Sequence, residues 1–202
     1  DLLVGAHYRD LDGTSALFRA NVLTTGDNDF NNNYDRDTVF FDGGQGNPQE
    51  YDNDGYSLKV DYDFGAVTLT SITAYENANG YSRGDIDGGF GASFLPVMGP
   101  GFIPFPSETQ DDADVEQFTQ EFRLSTNEAD RLYWQVGAFY YDADLEVKTD
   151  PGFVPPTTIK HTNENWAIFG QVEYDLTEQW LLTVGGRYTD DDKNLDTPGG
   201  LN

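Results

Sequence analysis

NENWAIFGQVEYDLTEQWLLTVGGRYTD, residues 163–190, contains two runs in which apolar and polar side chains alternate. The apolar positions are Trp166, Ile168, Gly170, Val172 and Tyr174 in the first run, and Trp180, Leu182, Val184, Gly186 and Tyr188 in the second. Alternation with a period of two is typical of β-strands that have one apolar and one mostly polar face. The short polar segment 175–179 separates the runs, so the sequence predicts an antiparallel hairpin.

Aromatic residues stand at both ends of the apolar face of this hairpin. Trp180 and Tyr188 are separated by about 26 Å along an extended strand, which is about 20 Å of height when the strand is tilted by about 40°. That height is close to the ~25 Å apolar band between the aromatic girdles of an outer-membrane barrel, so the hairpin is predicted to cross a membrane. The predicted girdle residues of the whole chain are Tyr56, Tyr62, Tyr75, Trp134, Tyr140, Trp166, Tyr174, Trp180 and Tyr188.

The same alternation continues through most of the chain and predicts about eight strands. The predicted hairpins join 2–9 to 16–22, 56–63 to 67–75, 117–124 to 132–140, and the two halves of 163–190. The first hairpin depends on a turn at Leu11-Asp12-Gly13. Opposed residues in antiparallel strands share a face. The opposed pairs expected on this basis are Tyr8 with Ala16, Tyr62 with Val67, Leu124 with Leu132, and Tyr174 with Trp180.

The predicted connections alternate between short and long. The long ones cover about 23–54, 77–114 and 143–162. Outer-membrane barrels have short periplasmic turns and long extracellular loops, so these three segments are expected to be extracellular.

Composition excludes several classes of protein. The chain has 36 acidic and 11 basic residues and a net charge of −25, which argues against nucleic-acid binding, because phosphate neutralisation needs clustered Lys and Arg. It contains no cysteine, and therefore no disulfide or thiolate metal site. The mean hydropathy is −0.59 and no apolar run approaches the length of a transmembrane helix, which leaves a barrel as the membrane-spanning form.

No catalytic motif is present. His7 and His161 are the two histidines, and neither has neighbours that suggest a metal site or a catalytic triad. The chain is therefore predicted not to be an enzyme.

Acidic loops are the candidate metal sites. Asp27 and Asp29 begin a segment that starts like a calcium loop but lacks its later glycine and glutamate, and Asp85 and Asp87 form a similar short oxygen cluster. These four residues are candidate Ca²⁺ ligands. The alternative is that the Asp, Asn and Gly residues only favour tight, solvated turns.

A second candidate site is the apolar, proline-rich segment 90–106. Its prolines disfavour a strand. As part of an extracellular loop it would line a ligand pocket with Phe90, Phe94, Phe102 and Phe105. The alternatives are docking on a partner protein and packing against neighbouring loops.

Three segments in the same order resemble one family. GQVEYDLTEQWLLTVGGRYTDDDK (170–193), YSLKVDYDFGAVTLTSITAYE (56–76) and QFTQEFRLSTN (117–127) are similar to barrel strands of TonB-dependent outer-membrane receptors. The resemblance implies an all-β fold, in which residues 1–202 form a segment of an antiparallel transmembrane β-barrel without a plug domain.

The resemblance also implies a function and partners. Such receptors import scarce ligands, namely siderophore-bound iron, cobalamin or glycans, across the Gram-negative outer membrane, and they need no cofactor. The implied partners are outer-membrane lipid and lipopolysaccharide, a small-molecule or glycan ligand, and the TonB complex acting through a plug. Lumen-facing charges such as Lys59, Glu121 and Arg187 would then contact that plug. Two alternatives remain: a self-contained eight-stranded barrel acting as an anchor or adhesin, and a soluble, calcium-stabilised extracellular β domain.

Overall fold

The chain forms a sheet of long β-strands. The computed structural model describes residues 1–19, 22–24, 26–39, 46–85, 108–127, 131–152 and 154–198. Within them lie seven strands: β1 (Leu2–Thr14), β2 (Pro48–Asp63), β3 (Val67–Asp85), β4 (Glu108–Thr126), β5 (Leu132–Asp150), β6 (Thr157–Thr177) and β7 (Trp180–Asp196). Within the same ranges, no helix has the length and apolar character needed to cross a membrane. The all-β prediction is confirmed.

The strands make one antiparallel sheet in the order β1 to β7, so each strand pairs with its neighbours in sequence. The pairing is regular along the strands, apart from an irregularity between Asp175 and Thr177 in β6. Among the described residues, β1 pairs only with β2 and β7 only with β6. The sheet therefore has two free edges and is not closed.

No second layer covers the sheet in the described part of the chain. Ala167 is the one apolar side chain there that is buried. Large apolar side chains remain exposed, including Ile168 at 54% and Trp180 at 70%. A continuous apolar face of this kind needs a membrane or a partner to cover it.

The first predicted hairpin is wrong. β1 continues through Leu11-Asp12-Gly13 and pairs there with residues 49–51 of β2. The ladder is extended by Ser15, whose backbone N–H donates to the Asn47 carbonyl at 2.7 Å. None of the described residues in the predicted strand 16–22 belongs to a strand. Continuous cross-strand hydrogen bonding has outweighed the local turn preference of Asp-Gly.

Three of the four predicted pairings give the correct faces but the wrong partners, and Ala16, the predicted partner of Tyr8, is in no strand. The observed pairs are Tyr8 with Asp54, Tyr62 with Leu69, Leu124 with Val136, and Tyr174 with Leu182. In the last three pairs an apolar residue still faces an apolar residue. The register of each of these hairpins is shifted relative to the prediction by an even number of residues.

The long connections have other bounds than predicted, and the second and third are shorter because the strands extend into them. Instead of 23–54, 77–114 and 143–162, the connections are 15–47, 86–107 and 151–156. The turns at the opposite end of the sheet are 64–66, 127–131 and 178–179. The alternation of long and short connections is kept, and the end with the long ones is called the upper end below.

Candidate functional site

One face of the sheet, called the Ile168 face, carries two aromatic rows with an apolar band between them. The upper row takes one residue from each strand in turn: Tyr8, Tyr56, Tyr75, Phe118, Tyr140, Trp166 and Tyr188. The lower row contains Tyr62, Trp134, Tyr174 and Trp180. All nine predicted girdle residues therefore lie on this face, in one row or the other.

Both rows run obliquely to the strands. Directly paired residues, followed from Tyr8 on β1 across the sheet, end at Asn194 on β7. The upper row instead reaches β7 at Tyr188, six residues away. The row is thus displaced by about 20 Å along the strands over about 29 Å of sheet width. The strands are inclined by about 35° to the perpendicular of the row, which is the tilt of strands in outer-membrane barrels.

The polarity of the two faces reverses above the upper row. The next Ile168-face residue beyond each upper-row aromatic is an acid in every strand except β3, which has Asn77; the acids are Asp10, Asp54, Glu116, Asp142, Glu164 and Asp190. At the same end the opposite face, called the Gln171 face, carries Val115, Leu145, Val147, Ile159 and Leu195. The extensions therefore carry a row of acids on the Ile168 face, and apolar side chains among polar ones on the Gln171 face.

Two ion pairs lie in these extensions, one between neighbouring strands and one within β7. Lys160 Nζ lies 2.7 Å from Glu146 Oε2 on the Ile168 face, and this hydrogen bond raises the pKa of Lys160. On the Gln171 face, Lys193 Nζ lies 2.6 Å from Asp191 Oδ2 and lowers the pKa of that carboxyl. All four side chains are more than a third exposed, so the pairs contribute little stability.

Between the aromatic rows, the Gln171 face carries charged side chains that contact opposite charges, polar groups or aromatic rings. Lys59 Nζ lies 3.0 Å from Asp61 Oδ2, and the Thr70 hydroxyl donates to Asp61 Oδ1 at 2.6 Å. Arg187 places its guanidinium carbon 5.6 Å from the ring centre of Phe139 and 5.7 Å from that of Phe169. Such a face suits a wet or protein-filled interior and would be costly against lipid.

A small polar cluster lies on the Gln171 face at the level of the upper aromatic row. His7 Nε2 is 3.0 Å from Asn53 Oδ1 and 3.1 Å from Glu76 Oε2. The Asn53 amide also donates to Glu76 Oε2 at 3.3 Å. Gly55 makes room for the cluster, since a Cβ there would collide with both His7 and Glu76. His7 therefore contacts two polar side chains in this cluster, Asn53 and Glu76.

Three of the four predicted metal ligands, Asp27, Asp29 and Asp85, lie in the described part of the chain. Asp27 and Asp29 lie at the tip of a small hairpin in the 15–47 connection, where the Leu23–Phe30 bridge closes the turn and Asp27 Oδ1 accepts from the Asn28 N–H at 2.6 Å. Asp85 is buried at the end of β3. Within the described ranges no group of three or more His, Asp or Glu side chains is placed to hold a metal ion. Calcium binding stays a prediction from sequence.

Two sets of predicted residues lie outside the described part of the chain. They are Asp87, and the four pocket phenylalanines Phe90, Phe94, Phe102 and Phe105.

Sequence reasoning missed the apolar patch at the upper end of the Gln171 face. Its signal was present, because Leu145 and Val147 alternate with Asp144, Glu146 and Lys148 within a segment interpreted as loop. The same alternation that marks the membrane band continues there with its faces exchanged.

Comparison with known proteins adds two findings. A family model described as the β-barrel of TonB-dependent receptor-like proteins matches residues 3–202. Among solved structures, the chain is similar to the crystal structure of the ferric yersiniabactin uptake receptor FyuA from Yersinia pestis, with a TM-score of 0.63 and 15% sequence identity. That likeness covers 97% of this chain and 30% of the receptor chain, so the chain spans less than a third of that receptor's length. No curated protein matches the chain.

Proposed function

This chain belongs to the TonB-dependent receptor-like β-barrel family, and on that premise we propose that it forms part of the barrel wall of an outer-membrane receptor that actively takes up a scarce ligand. The family consists of receptors and transporters rather than enzymes, and it resides in the Gram-negative outer membrane. The ligand classes to be considered are ferric siderophores, cobalamin and glycans. FyuA is an uptake receptor for ferric yersiniabactin, and its likeness to this chain puts the ferric siderophore class first.

The observation that carries the proposal is the pair of oblique aromatic rows on the Ile168 face. Tyr and Trp favour the two interfaces of a membrane, where their rings lie at headgroup level. Exposed apolar side chains such as Ile168 and Val184 fill the band between the rows. The inclination of about 35° is the one required to close a large transmembrane barrel.

The two free edges support a larger barrel over a self-contained eight-stranded one. β1 and β7 each have one edge that no described strand of this chain pairs with. Exposed strand edges of this length are open to aggregation, and barrels remove them by closure. In our proposal further strands of a longer protein pair with β1 and β7, and the seven strands form an arc of its wall.

The Gln171 face is the side that the ligand and a plug would contact. Between the aromatic rows its paired charges, such as Lys59 with Asp61, offer polar contacts to a plug domain. Above the upper row it offers Leu145 and Val147 instead, while acids such as Asp144 are on the other face. A ligand arriving from outside would meet these apolar side chains beside polar ones such as Asp191 and Lys193, and the row of acids would lie on the other face. This favours a ligand with some apolar surface.

Uptake by a strain that depends on this receptor tests the proposal. The gene for the full-length protein is deleted and then restored, and cells are given a labelled ferric siderophore, labelled cobalamin or a labelled oligosaccharide in parallel. We expect uptake of one class that requires both the receptor and active TonB. Uptake that continues after TonB is inactivated, or that is unchanged by deletion for all three classes, would contradict active import.

A further inference from the structure

The apolar band of the Ile168 face contains a hollow across β5, β6 and β7. Two openings of about 640 and 530 Å³ adjoin there and share Val136, Gly170 and Gly186. Gly170 and Gly186 lie directly opposite each other, so two neighbouring positions in the band lack side chains. A Cβ on Gly186 would have no atom within 4 Å.

Bulky apolar side chains surround this hollow. On the Ile168 face the larger opening is lined by Phe122, Leu124, Ala138, Ile168 and Tyr188, and the smaller one by Trp134, Val172 and Val184. Ile168 and Val184 remain 54% and 61% exposed. The hollow is therefore a gap between protruding side chains.

Gly170, which lines both openings, lies at the middle of the band. On β6, Gly170 is equidistant in sequence from Trp166 of the upper row and Tyr174 of the lower row. If the rows mark the two membrane interfaces, as the proposed function requires, Gly170 is at the depth of hydrocarbon tails. Headgroups, ions and water do not reach that depth.

We propose that this hollow is a binding site for one acyl chain of an outer-membrane lipid. The hollow is part of the apolar band that the proposed function places in lipid. Every side chain that lines it on the Ile168 face is apolar or aromatic. An acyl chain lying over Gly170 and Gly186 gains dispersion contacts with the surrounding side chains that a flat stretch of the band does not offer. The inference rests on the proposed membrane location of the Ile168 face, but not on ligand uptake.

Native mass spectrometry of the full-length protein tests the site. The protein is extracted from outer membranes in mild detergent, and retained lipids are counted from the mass of the complex. Two variants fill the hollow, Gly186→Leu and Ala138→Leu. The matched control is Ala6→Leu, which adds the same kind of side chain to the Ile168 face on β1, outside the hollow.

We expect one retained lipid in the wild type and in Ala6→Leu, and about tenfold less of the lipid-bound form in each of the two filling variants. The mass of the retained lipid distinguishes a phospholipid from a glycolipid as the source of the chain. Equal retention in all four proteins would overturn the proposal. So would a wild-type dimer that Gly186→Leu dissociates, because the hollow would then be a protein contact.

Failure of the proposed function has a different signature. If the protein is recovered without detergent and does not float together with lipid vesicles, both the membrane location and the lipid site are overturned. A detergent-dependent protein that retains no lipid would overturn the lipid site alone.

Discussion

Trp166 of β6 packs against Tyr188 of β7, with 5.6 Å between ring centres and planes inclined by 51°, although the residue directly opposite Trp166 is Asp190. The contact is diagonal. It shows the upper aromatic row descending by one same-face position between these two strands. Asp190, at the level of Trp166, already belongs to the acidic positions above the row.

This diagonal step explains how tilted strands keep level boundaries. In a barrel whose strands are inclined by about 35–45°, directly paired residues of neighbouring strands lie at different heights in the membrane. A boundary parallel to the membrane must therefore shift along successive strands. The change from Tyr188 to Asp190 on β7 and from Trp166 to Glu164 on β6 marks the same boundary at two different registers. The side-chain pattern, the strand register and the strand tilt therefore indicate the same boundary.

A charge in the middle of the band should be far more costly than the same charge on the other face. Val184→Arg places a guanidinium at the centre of the apolar band, midway in β7 between Trp180 and Tyr188, where such a charge costs about 2–4 kcal/mol. We expect the free energy of unfolding of the full-length protein in lipid vesicles, measured by urea titration, to fall by about that amount.

Gln171→Arg is the control for that change. Its side chain lies on the opposite face, where Gln171 donates to Glu173 Oε1 at 2.6 Å, so an arginine there meets a carboxylate. Its unfolding free energy should stay within about 0.5 kcal/mol of the wild type. Equal losses in the two variants would show that the Ile168 face is not in lipid.

The faces of the sheet were predictable from sequence, whereas the partners were not. Alternation assigns each side chain to a face, but shifting a strand by two residues leaves every side chain on the same face. Tyr62 could therefore be paired with Val67 or with Leu69 without any change in pattern. The turn decides between them. Gly65 adopts a φ of +93°, and Asp63 Oδ1 accepts from its N–H at 2.6 Å, while Leu69 takes the place opposite Tyr62.

The upper extensions were not predicted because acids at alternate positions were interpreted as loop. Glu146 and Lys148 are polar enough to suggest a solvated segment, yet Leu145 and Val147 between them complete a strand pattern. The prediction of the first hairpin was wrong for the opposite reason. Asp12-Gly13 is a strong local turn signal, and only the distant partner strand, at Gln49 and Glu50, keeps those residues extended.

Gly137→Ala should destabilise the sheet through the Gln171 face. A Cβ at Gly137 would lie 2.8 Å from the Phe122 carbonyl oxygen and would collide with the end of the Phe169 ring. The backbone oxygen cannot move without breaking the ladder, and displacing Phe169 also separates it from Arg187. We expect a loss of about 1–3 kcal/mol in the urea-unfolding free energy.

Gly186→Ala is the matched glycine control. Its new methyl group meets no atom within 4 Å, and alanine fits an extended backbone. We expect no loss of stability, or a small gain from the lower entropy of the unfolded chain. A destabilisation equal to that of Gly137→Ala would mean that strand propensity, and not the Phe169 contact, governs both positions.

Leu145 and Asp144 offer a test of which face meets the ligand, because they are neighbours in β5 on opposite faces of the sheet. Leu145→Asn makes the inner apolar patch polar, and Asp144→Asn removes a charge from the other face. We expect the concentration of ligand that gives half-maximal uptake to rise about tenfold for Leu145→Asn, the effect of about 1.4 kcal/mol of lost contact.

Asp144→Asn should leave that concentration unchanged within about twofold. Surface levels of both variants are checked by immunoblotting of outer membranes, so that loss of protein is not mistaken for loss of affinity. A rise confined to Asp144→Asn would place the ligand on the acidic face.

Asp35 should make part of the 15–47 connection sensitive to acid. Hydrogen bonding by the Thr38 side chain, together with the N–H groups of Asp37 and Thr38 that donate to Asp35 Oδ1 at 2.8 and 2.9 Å, lowers the pKa of Asp35 from its ordinary value of 3.8. A carboxyl whose pKa is lower in the folded state stabilises the turn above its unfolded pKa. That contribution is lost as the pH falls through the lowered value. Hydrogen–deuterium exchange of the peptide 31–39, corrected for the intrinsic pH dependence of exchange, should therefore show protection that decreases below about pH 4.

Asp35→Asn keeps an oxygen acceptor but does not titrate, so its protection should be independent of pH over the same range. Acid-induced loss of protection in both proteins would show that another group opens the turn.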